Sequence, residues 1–440
     1  MPGLTPGLTP GPPSPPVAGR PGRVYAVCAE VPPEIIGGLG RYAERMMVAL
    51  ADLGTTVDVF GGTGQRAKPR PVTTGDVTLH RIRTLGVRRG PASTASPAGT
   101  GPGPVRQLAR ILGVLGFNVV VAARILRADS GRSGSVVAVH DWMGCLAGIL
   151  CRVLGRRPVV FHVHTREIHS DPARRRSPVA AGIAALETIQ ARLARRIVVA
   201  SAGMRDQLAA RGWPPDRLRV VPHGFEDPEL VRLAGLGDDD RARLRSAVRR
   251  RYLEGDDPGY LIVFAGRLSA HKGVRTLIRA APRVVEKLGR IRIVLIGAQA
   301  PRTNDDAEVA RLIERLGLAR YVCADYRFRD SAEVFAHFLA ADVCVFPSTY
   351  EPFGLVAVEA MALARPVVVG PGYSPEVVGD GAVRYERDSP EELADALIRC
   401  LDDPAAADRL AGRGAAYVRE RYSWARTAEL TLSTYAEAVR

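Results

Sequence analysis

The chain has 440 residues, 46% of them hydrophobic and 24% charged, so it holds enough apolar material for two or three packed domains. Its formal net charge is +15, but lysine occurs only at Lys68, Lys272 and Lys287, and the other basic residues are arginines spread along the whole chain. This distribution favours a codon bias toward arginine over a nucleic-acid-binding or membrane-binding segment.

Neither a zinc motif nor a leader is evident in the sequence. The six cysteines are scattered, mostly in apolar segments, and none forms a CxxC pair, so we interpret them as buried thiols. No run approaches the roughly 18 uncharged apolar residues of a membrane span, and the first residues lack the apolar core of a signal peptide. We therefore expect a cytoplasmic protein.

The first half of the chain begins with a Pro/Gly-rich stretch, residues 1–22, which we expect to be disordered because it has little apolar surface to bury. From Val24 onward, apolar runs alternate with stretches of helical spacing; the runs are VYAVCA, TVDVF, SVVAVH, PVVFHVH and RIVVAS. This pattern predicts βα units on a parallel sheet. A loop is predicted at 88–104, and the apolar helix VRQLARILGVLGFNVVVAARIL after it is expected to pack on the sheet rather than attach to a membrane.

The second half restarts the same rhythm at Tyr260, after a charged helical stretch, with the runs YLIVFAGRL, RIRIVLIGA, YVCADY, DVCVFPS and RPVVVGPG. The sequence therefore predicts an α/β fold of two Rossmann-like, doubly wound domains facing across a cleft, at 23–225 and 226–422, with a terminal helix at 423–440. Ligands of such sheets bind beyond the carboxyl ends of the strands, so we expect the site in the loops that follow them.

The segment YEPFGLVAVEAMALARPVVV, at 350–369, follows the run DVCVFPS directly and places Glu351 and Glu359 eight residues apart. A loop gives way to helical spacing here, so a helix N-terminus is expected at the ligand crevice, where it attracts a diphosphate or a sugar hydroxyl. The N–H groups expected to face the ligand belong to Phe353, Gly354 and Leu355. The alternative is that Glu351 merely caps the helix and Glu359 is solvated.

The segment FAGRLSAHKGVRTLI places Arg267 and Lys272 between a strand and a helix, with Gly266 and Gly273 giving the backbone room. Two cations at a strand end suit a diphosphate, because Arg binds it through two N–H groups and Lys supplies a point charge. An isolated pair of this kind is common on solvated faces. Its place on a βα loop favours the binding interpretation.

Polar residues of the first half are expected at the same edge of the other sheet. EIIGGLGRYAERMMVAL places Gly37 and Gly38 before a helix, although it matches neither the Walker sequence nor G-x-G-x-x-G. HDWMG, with Asp141, and FHVHTREIH, with His164, each end a predicted strand. A metal site built from these histidines is the rival interpretation, disfavoured because the ligands do not recur at fixed helical spacing.

Together these segments resemble the retaining glycosyltransferases of the glycogen-synthase-like superfamily, specifically family 4 with the GT-B architecture, over almost the whole chain from Val24. The most specific parts are the E-x7-E segment, G-R-L-x-x-x-K-G at 266–273 and VVPHGF at 220–225. The last helix, which starts with SWARTAEL, is similar to the family's terminal helix that crosses back to the first domain.

The resemblance implies a role for each matching residue. It assigns the donor diphosphate to Arg267 and Lys272, the ribose to Glu359, and the transferred sugar to Glu351. It places the loop of Gly37 and Gly38 at the phosphate and the acceptor. Asp141 and Trp142 match the H-D-W segment of glycogen and starch synthases, and His164 matches their active-site histidine near the donor sugar. Three features depart from the family pattern: His223 replaces the Asn of V-P-N-G, Pro371-Gly372 replaces Gly-Gly, and HVHTREIH differs from T-V-H-N.

The sequence thus predicts a metal-independent, retaining hexosyltransferase that uses a nucleotide diphosphate sugar, with UDP favoured, and no cofactor. The polar segment 164–171 favours a small hydrophilic acceptor, such as a molecule of specialised metabolism, although Arg166 and the run 174–176 would also suit a phosphorylated lipid head group. The alternatives are a glucan or glycogen synthase, a lipid glycosyltransferase, a sugar phosphorylase or epimerase and, least favoured, a nucleic-acid-binding protein.

Overall fold

The computed structural model describes residues 20–31, 38–63, 71–84, 104–129, 134–166, 177–253, 259–297, 304–326 and 329–440. These residues form two separate sheets that are parallel apart from one edge strand. The predicted loop at 88–104 lies outside the described residues except for Pro104, which begins a helix. All but the last three residues of the predicted disordered stretch 1–22 also lie outside them. Gly22 donates its N–H to the Gly134 carbonyl at 2.8 Å, next to the first strand.

The first sheet has eight strands in the order β3-β4-β2-β1-β5-β6-β7-β8. Their bounds are β1 Arg23–Cys28, β2 Thr56–Thr63, β3 Val72–Thr74, β4 Val77–Arg83, β5 Ser135–His140, β6 Val159–Val163, β7 Arg196–Val199 and β8 Leu218–Val220. The five apolar runs predicted as strands are confirmed. The antiparallel hairpin β3–β4 and the short strand β8 were not predicted, because their sequences are more polar and mostly less buried.

The second sheet has six parallel strands in the order β11-β10-β9-β12-β13-β14. Their bounds are β9 Tyr260–Ala265, β10 Ile291–Ile296, β11 Val322–Asp325, β12 Val343–Phe346, β13 Val367–Val369 and β14 Val383–Arg384. In both sheets the chain order reverses beside the first strand, β1 or β9. The predicted architecture of two doubly wound α/β domains is therefore confirmed.

Helices cover both faces of each sheet. They are α1 Gly38–Asp52, α2 Pro104–Ala128, α3 Cys145–Gly155, α4 Pro178–Leu193, α5 Ala202–Ala209, α6 Pro228–Ala234, α7 Asp238–Arg249, α8 Val274–Leu288, α9 Asn304–Arg315, α10 Ser331–Ala340, α11 Leu355–Ala362, α12 Pro375–Val378, α13 Pro390–Asp402, α14 Pro404–Arg421 and α15 Trp424–Val439.

The central strands are buried on both sides because each of their faces meets a different core. On β1, Tyr25 and Val27 join the core beneath α2 and α3, whereas Val24 and Ala26 join the core beneath α1 and α15. Continuous apolar runs, rather than alternating ones, are what such two-sided burial requires. This requirement explains why the central strands could be predicted from the sequence.

Helix α2 packs on the first sheet as predicted, but with one face only. Phe117, Val121 and Ile125 are buried in the core, and Asn118 is 1% exposed. The window Ile111–Ala128 is long and apolar enough to cross a membrane by length and composition, yet 33% of it is buried inside the fold. Its remaining surface is therefore exposed and largely apolar.

The terminal helix α15 returns to the first domain. Leu432 and Tyr435 lie in the core beneath the first sheet, and Tyr435 Oη lies 2.9 Å from His162 Nε2 of β6. At its start, Thr427 Oγ1 donates to the Pro222 carbonyl at 2.8 Å. The last segment of the chain thus completes the first hydrophobic core.

Candidate active site

The site lies where the carboxyl ends of the two sheets face each other. Arg41 of α1 reaches across the cleft, donating from Nη1 to Glu359 Oε1 at 3.2 Å and from Nη2 to Ser331 Oγ at 2.8 Å. The rings of His223 and Phe353 also meet across it, with centroids 5.2 Å apart. Residues from opposite halves of the sequence are therefore brought together.

The two predicted cations follow strand β9, but their surroundings differ. Lys272 Nζ lies 2.6 Å from Glu351 Oε2, and the Lys272 side chain is only 19% exposed. Arg267 is exposed and, within the described part of the chain, makes no ion pair. Lys272 is thus held in place by a carboxylate, while Arg267 remains available to a ligand.

Glycine is required where this loop turns into α8. Gly273 has φ +71°, and a Cβ there would lie 1.9 Å from the Pro347 carbonyl oxygen at the end of β12. Any larger residue would strain the backbone and separate the two loops. This close approach brings Lys272 next to Glu351.

Helix α11 begins as predicted at Leu355, after Gly354 in the left-handed conformation at φ +92°. No side chain caps this helix. Among the described residues, none accepts a hydrogen bond from the three N–H groups that the sequence assigned to the ligand crevice, those of Phe353, Gly354 and Leu355. The ring of Phe353 is buried against Tyr422 and His223, so only its backbone is offered to a ligand.

The two carboxylates of the E-x7-E segment are neither a cap nor solvated. Glu351 accepts from Ser348 Oγ at 3.1 Å as well as contacting Lys272. Glu359 is 4% exposed, and burial raises its pKa to about 7 despite the opposing charge of Arg41. The alternative that Glu351 caps α11 and Glu359 is solvated is therefore wrong.

Asp141 directly follows β5 and has an uncommon backbone conformation, with φ 56° and ψ 179°. Its Oδ1 accepts hydrogen bonds from the N–H groups of His164 at 2.7 Å and Thr165 at 3.2 Å. Burial raises the pKa of Asp141 to about 8, although both hydrogen bonds oppose the rise. Asp141 thereby fixes the loop that carries His164, and the strain is of the kind found at functional sites.

His164 belongs to a column of imidazoles that the sequence analysis did not foresee. His140 Nδ1 lies 3.0 Å from His164 Nε2, and the His162 and His223 rings stack on His140 and His164. Burial, followed by the charges of His140 and His223, lowers the pKa of His164, so the ring is neutral at neutral pH. The pairing of His140 with His162 in the β5–β6 register explains the column.

The column brings His140, His162 and His164 close enough to raise the question of a metal, since one nitrogen of each lies within 4.8 Å of the others. A metal ion lies in the plane of each imidazole, about 2.0–2.1 Å from its nitrogen. The three rings are instead nearly parallel, with interplanar angles of 15° to 28°. His140 Nδ1 and His164 Nε2 already face each other at hydrogen-bond distance, 3.0 Å, so a metal ion would have to displace that contact.

Parts of the predicted acceptor side lie outside the described residues, namely Gly37, Glu167, His169, Asp171 and the arginines at 174–176. Gly38 is the first residue of α1. Arg166, considered for a phosphorylated head group, is buried: its Nε donates to Glu187 Oε2 at 3.1 Å and its guanidinium lies over Trp213. That interpretation of Arg166 is wrong, because the side chain is committed inside the domain.

Two family models match the chain, "Glycosyl transferase 4-like domain" over residues 37–224 and "Glycosyl transferases group 1" over residues 259–403. The chain is 30% identical over 432 residues to alpha-maltose-1-phosphate synthase of Mycolicibacterium smegmatis, which covers 94% of this chain and 98% of that protein. This chain belongs to glycosyltransferase family 4.

Solved structures agree with the glycosyltransferase assignment at the level of the fold. The catalytic domain of starch synthase IV from Arabidopsis thaliana, bound to ADP and acarbose, has a TM-score of 0.70 at 15% identity and covers 96% of this chain and 99% of that one. A UDP-forming trehalose-phosphate synthase from Burkholderia xenovorans, in complex with glucose-6-phosphate, has a TM-score of 0.70 at 17% identity and covers 94% and 100%. The architecture of this glycosyltransferase is GT-B.

Sequence reasoning missed the residues of this glycosyltransferase that cross the cleft. Arg41 and Ser331 lie 290 residues apart and meet through a hydrogen bond. Arg41 stands in the segment GRYAER beside the predicted glycine loop, and that position next to Gly38 was the available hint. Ser331 carried none, because it is an ordinary residue in the first turn of α10.

Proposed function

We propose that this glycosyltransferase moves a hexose-type sugar from a nucleotide diphosphate to a hydroxyl of a small hydrophilic acceptor, with retention of anomeric configuration and without a metal ion. One observation carries the proposal: Arg267, Lys272 and the unaccepted N–H groups at the start of α11 surround the same edge of the second sheet. Glu351 links them, since it contacts Lys272 and its Cγ would lie 3.0 Å from a Cβ on Gly354.

These groups suit the charge that develops on the leaving diphosphate. The acceptor oxygen bonds to the anomeric carbon as the bond from that carbon to the phosphate oxygen breaks, and the electron pair leaves with the diphosphate. The acceptor proton passes to the departing oxygen on the same face. Preorganised cations and helix N–H groups stabilise that negative charge more than they stabilise the ground state.

Glu359 and His164 are proposed to hold the two ends of the donor. Glu359 is buried on α11 and faces the cleft, where it contacts Arg41. Its ionised carboxylate would accept hydrogen bonds from the ribose hydroxyls while keeping the contact with Arg41. His164 is neutral, so it exchanges hydrogen bonds with sugar hydroxyls and carries no positive charge that would attract the diphosphate. Asp141 positions His164 through the backbone.

The choice of nucleotide and acceptor rests on a relative and on neighbouring solved structures. UDP is our first choice because a neighbouring structure is UDP-forming, whereas another binds ADP. A sugar-sized acceptor agrees with the relative named for maltose-1-phosphate and the neighbour holding glucose-6-phosphate. We further propose that the protein works in the cytoplasm.

A thermal-shift panel of UDP, GDP, ADP and dTDP on the full chain tests the donor site, because a ligand that binds the native state raises Tm. We expect one nucleotide to stabilise the protein, Arg267→Ala to abolish the shift, and Arg413→Ala, an exposed arginine on α14, to retain it. The sugar nucleotide so identified is then used to measure transfer with and without EDTA, and the product anomer is read by NMR.

Each part of the proposal has its own contrary outcome. Loss of transfer in EDTA that a divalent ion restores contradicts metal independence, and the inverted anomer contradicts retention. Incubation with free phosphate or with donor alone identifies a phosphorylase or an epimerase. If no nucleotide raises Tm, the diphosphate site itself is misplaced.

A further inference from the structure

Helices α2 and α3 present an apolar surface to solvent. Of the eleven large hydrophobic side chains that are exposed in the described residues, nine lie on the three adjacent helices α2, α3 and α4. The most exposed are Leu154 at 69%, Val153 at 59% and Leu112 at 57%. We use the name α2–α3 face for the six side chains of Ile111, Leu112, Leu115, Val119, Val153 and Leu154.

The opposite face of α2 ties the helix to the domain. Asn118 Nδ2 donates to the Met143 carbonyl at 2.8 Å, and the Ala147 N–H donates to Asn118 Oδ1 at 2.8 Å. Helix α2 also packs closely on α3, since a Cβ on Gly155 would lie 2.2 Å from Leu126 Cδ2. The α2–α3 face is therefore a fixed part of the domain, and α2 cannot leave to span a bilayer without breaking the core.

The charged residues of α2 and α3 all have one sign. Neither α2 nor α3 contains an acidic residue, and their charged residues are all arginines. Arg124 and Arg127 are exposed on α2. Arg195 and Arg217 add positive charge near Arg152 of α3, since burial, followed by their charges, lowers the pKa of Arg152.

The apolar side chains and the arginines together indicate which partner binds the α2–α3 face. A second copy docked by two-fold symmetry would place the arginines of α2 and α3 against one another with no carboxylate between them, which is repulsive. The segment 85–103, which leads directly into α2 and lies outside the described residues, contains only Leu85 and Val87 as large apolar residues. An anionic lipid surface offers both an apolar interior and negative phosphates.

We propose that the α2–α3 face docks on an anionic bilayer, with its apolar side chains in the interface and its arginines paired with lipid phosphates. The face extends from the far end of α3, where Val153 and Leu154 lie some eight residues, about 12 Å, from the end that follows Asp141, to the part of α2 around Asn118, which is hydrogen-bonded to residues at that end.

The test is flotation of the full-length protein with vesicles of phosphatidylcholine alone or mixed with phosphatidylglycerol, at low and high salt. Two variants probe the face: the triple variant Leu112→Glu, Val119→Glu, Leu154→Glu and the double variant Arg124→Glu, Arg127→Glu. Leu316→Glu is the matched control, because Leu316 is also exposed, at 39%, but lies elsewhere. Circular dichroism and Tm verify that each variant folds.

We expect the wild type and Leu316→Glu to float with the anionic vesicles, and both face variants to lose about tenfold or more of that partitioning. The proposal is overturned if the wild type remains unbound to anionic vesicles, or if the triple variant floats as the wild type does. A concentration-dependent dimer that the triple variant separates, without vesicle binding, would assign the face to a second copy.

Discussion

At the level of single residues, the contact between Lys272 and Glu351 fixes the position from which the Lys272 ammonium can bind a ligand. Their 2.6 Å contact holds the ammonium in place in a site where it is mostly shielded from solvent. Arg267, by contrast, has no such partner in the described structure. The donor diphosphate would therefore meet one fixed cation and one adaptable cation.

We expect Arg267→Ala or Lys272→Ala to lower kcat/KM by about a hundredfold or more, as loss of a preorganised charge at a developing anion does. Steady-state kinetics with the identified donor measure the effect, and Arg413→Ala serves as the distant control. Turnover that survives both substitutions would rule out this diphosphate site. Lys272→Ala also leaves the Glu351 carboxylate, which is 9% exposed, without its ion-pair partner, so Tm is measured beside the rates.

The raised pKa of Glu359 gives a second prediction. Because the ionised carboxylate is the form that accepts from ribose, the donor KM should rise as pH falls through about 7. Glu359→Gln should raise KM above pH 7, where the wild-type carboxylate is ionised, and remove this dependence. A wild-type KM that is flat across this range would contradict the assigned role of Glu359.

Glu359 also makes the stability of the folded protein depend on pH, in the opposite direction to donor binding. The folded-state pKa of about 7 exceeds the ordinary value of 4.5, so between these values the folded protein holds a proton that the unfolded chain has lost. Stability from this group therefore falls as pH rises across the interval. Glu359→Gln should be more stable than the wild type at about pH 8, by about 1–3 kcal/mol, and little different near pH 4.

At the level of elements, the N-terminus of α11 depends on a single glycine. A Cβ on Gly354 would meet Tyr373 Cε1 at 2.2 Å, in a backbone conformation at φ +92° that other residues rarely adopt. Since no side chain caps this helix, its first N–H groups are offered directly to the cleft. Moving Gly354 therefore moves the anion-binding end of the helix.

We expect Gly354→Ala to cost about 2 kcal/mol or more of unfolding free energy and to weaken donor binding together with it. Gly412→Ala is the control, because Gly412 lies inside α14 with nothing within 4 Å of the added methyl group. There the change should stabilise by about 0.5–1 kcal/mol. Urea unfolding and donor KM measure both effects, and unchanged values for Gly354→Ala would refute the argument.

At the level of the whole molecule, the C-terminal helix packs back on the first domain. Helix α15 follows the second domain in sequence but fills the core of the first, where Leu432 is fully buried beside Tyr435. Strand β1 and helix α1 share that core. The stability of the first domain is thus tied to the last residues of the chain.

Leu432→Ala should destabilise the first domain by about 2–4 kcal/mol through the cavity it leaves. Hydrogen exchange followed by mass spectrometry should show lost protection in α1 and β1, with strands β9 to β13 little changed. Leu316→Ala, at a partly exposed site, should alter neither. Uniform loss of protection in both sheets would show that the two domains unfold as one unit.

Much of this molecule was predictable because the patterns involved are local. Strands buried on both faces must be apolar along their whole length, so runs such as SVVAVH and YLIVFAGRL marked β5 and β9. Helix α11 began at Leu355 as predicted, because a glycine and a change of spacing mark that boundary within a few residues. The loops after parallel strands then assigned Arg267, Lys272 and Glu351 to one edge.

Only the tertiary structure decided what those residues touch. The pairs Lys272–Glu351 and Arg41–Glu359 join residues 79 and 318 positions apart, and such contacts depend on how separate loops and domains pack. The apolar sequence of α2 could not show which face is covered, because residues 111–123 contain no charged side chain that would mark an outer face. The burial of Arg166 was equally hidden, since an arginine pairs with a buried glutamate only where the fold brings the two together.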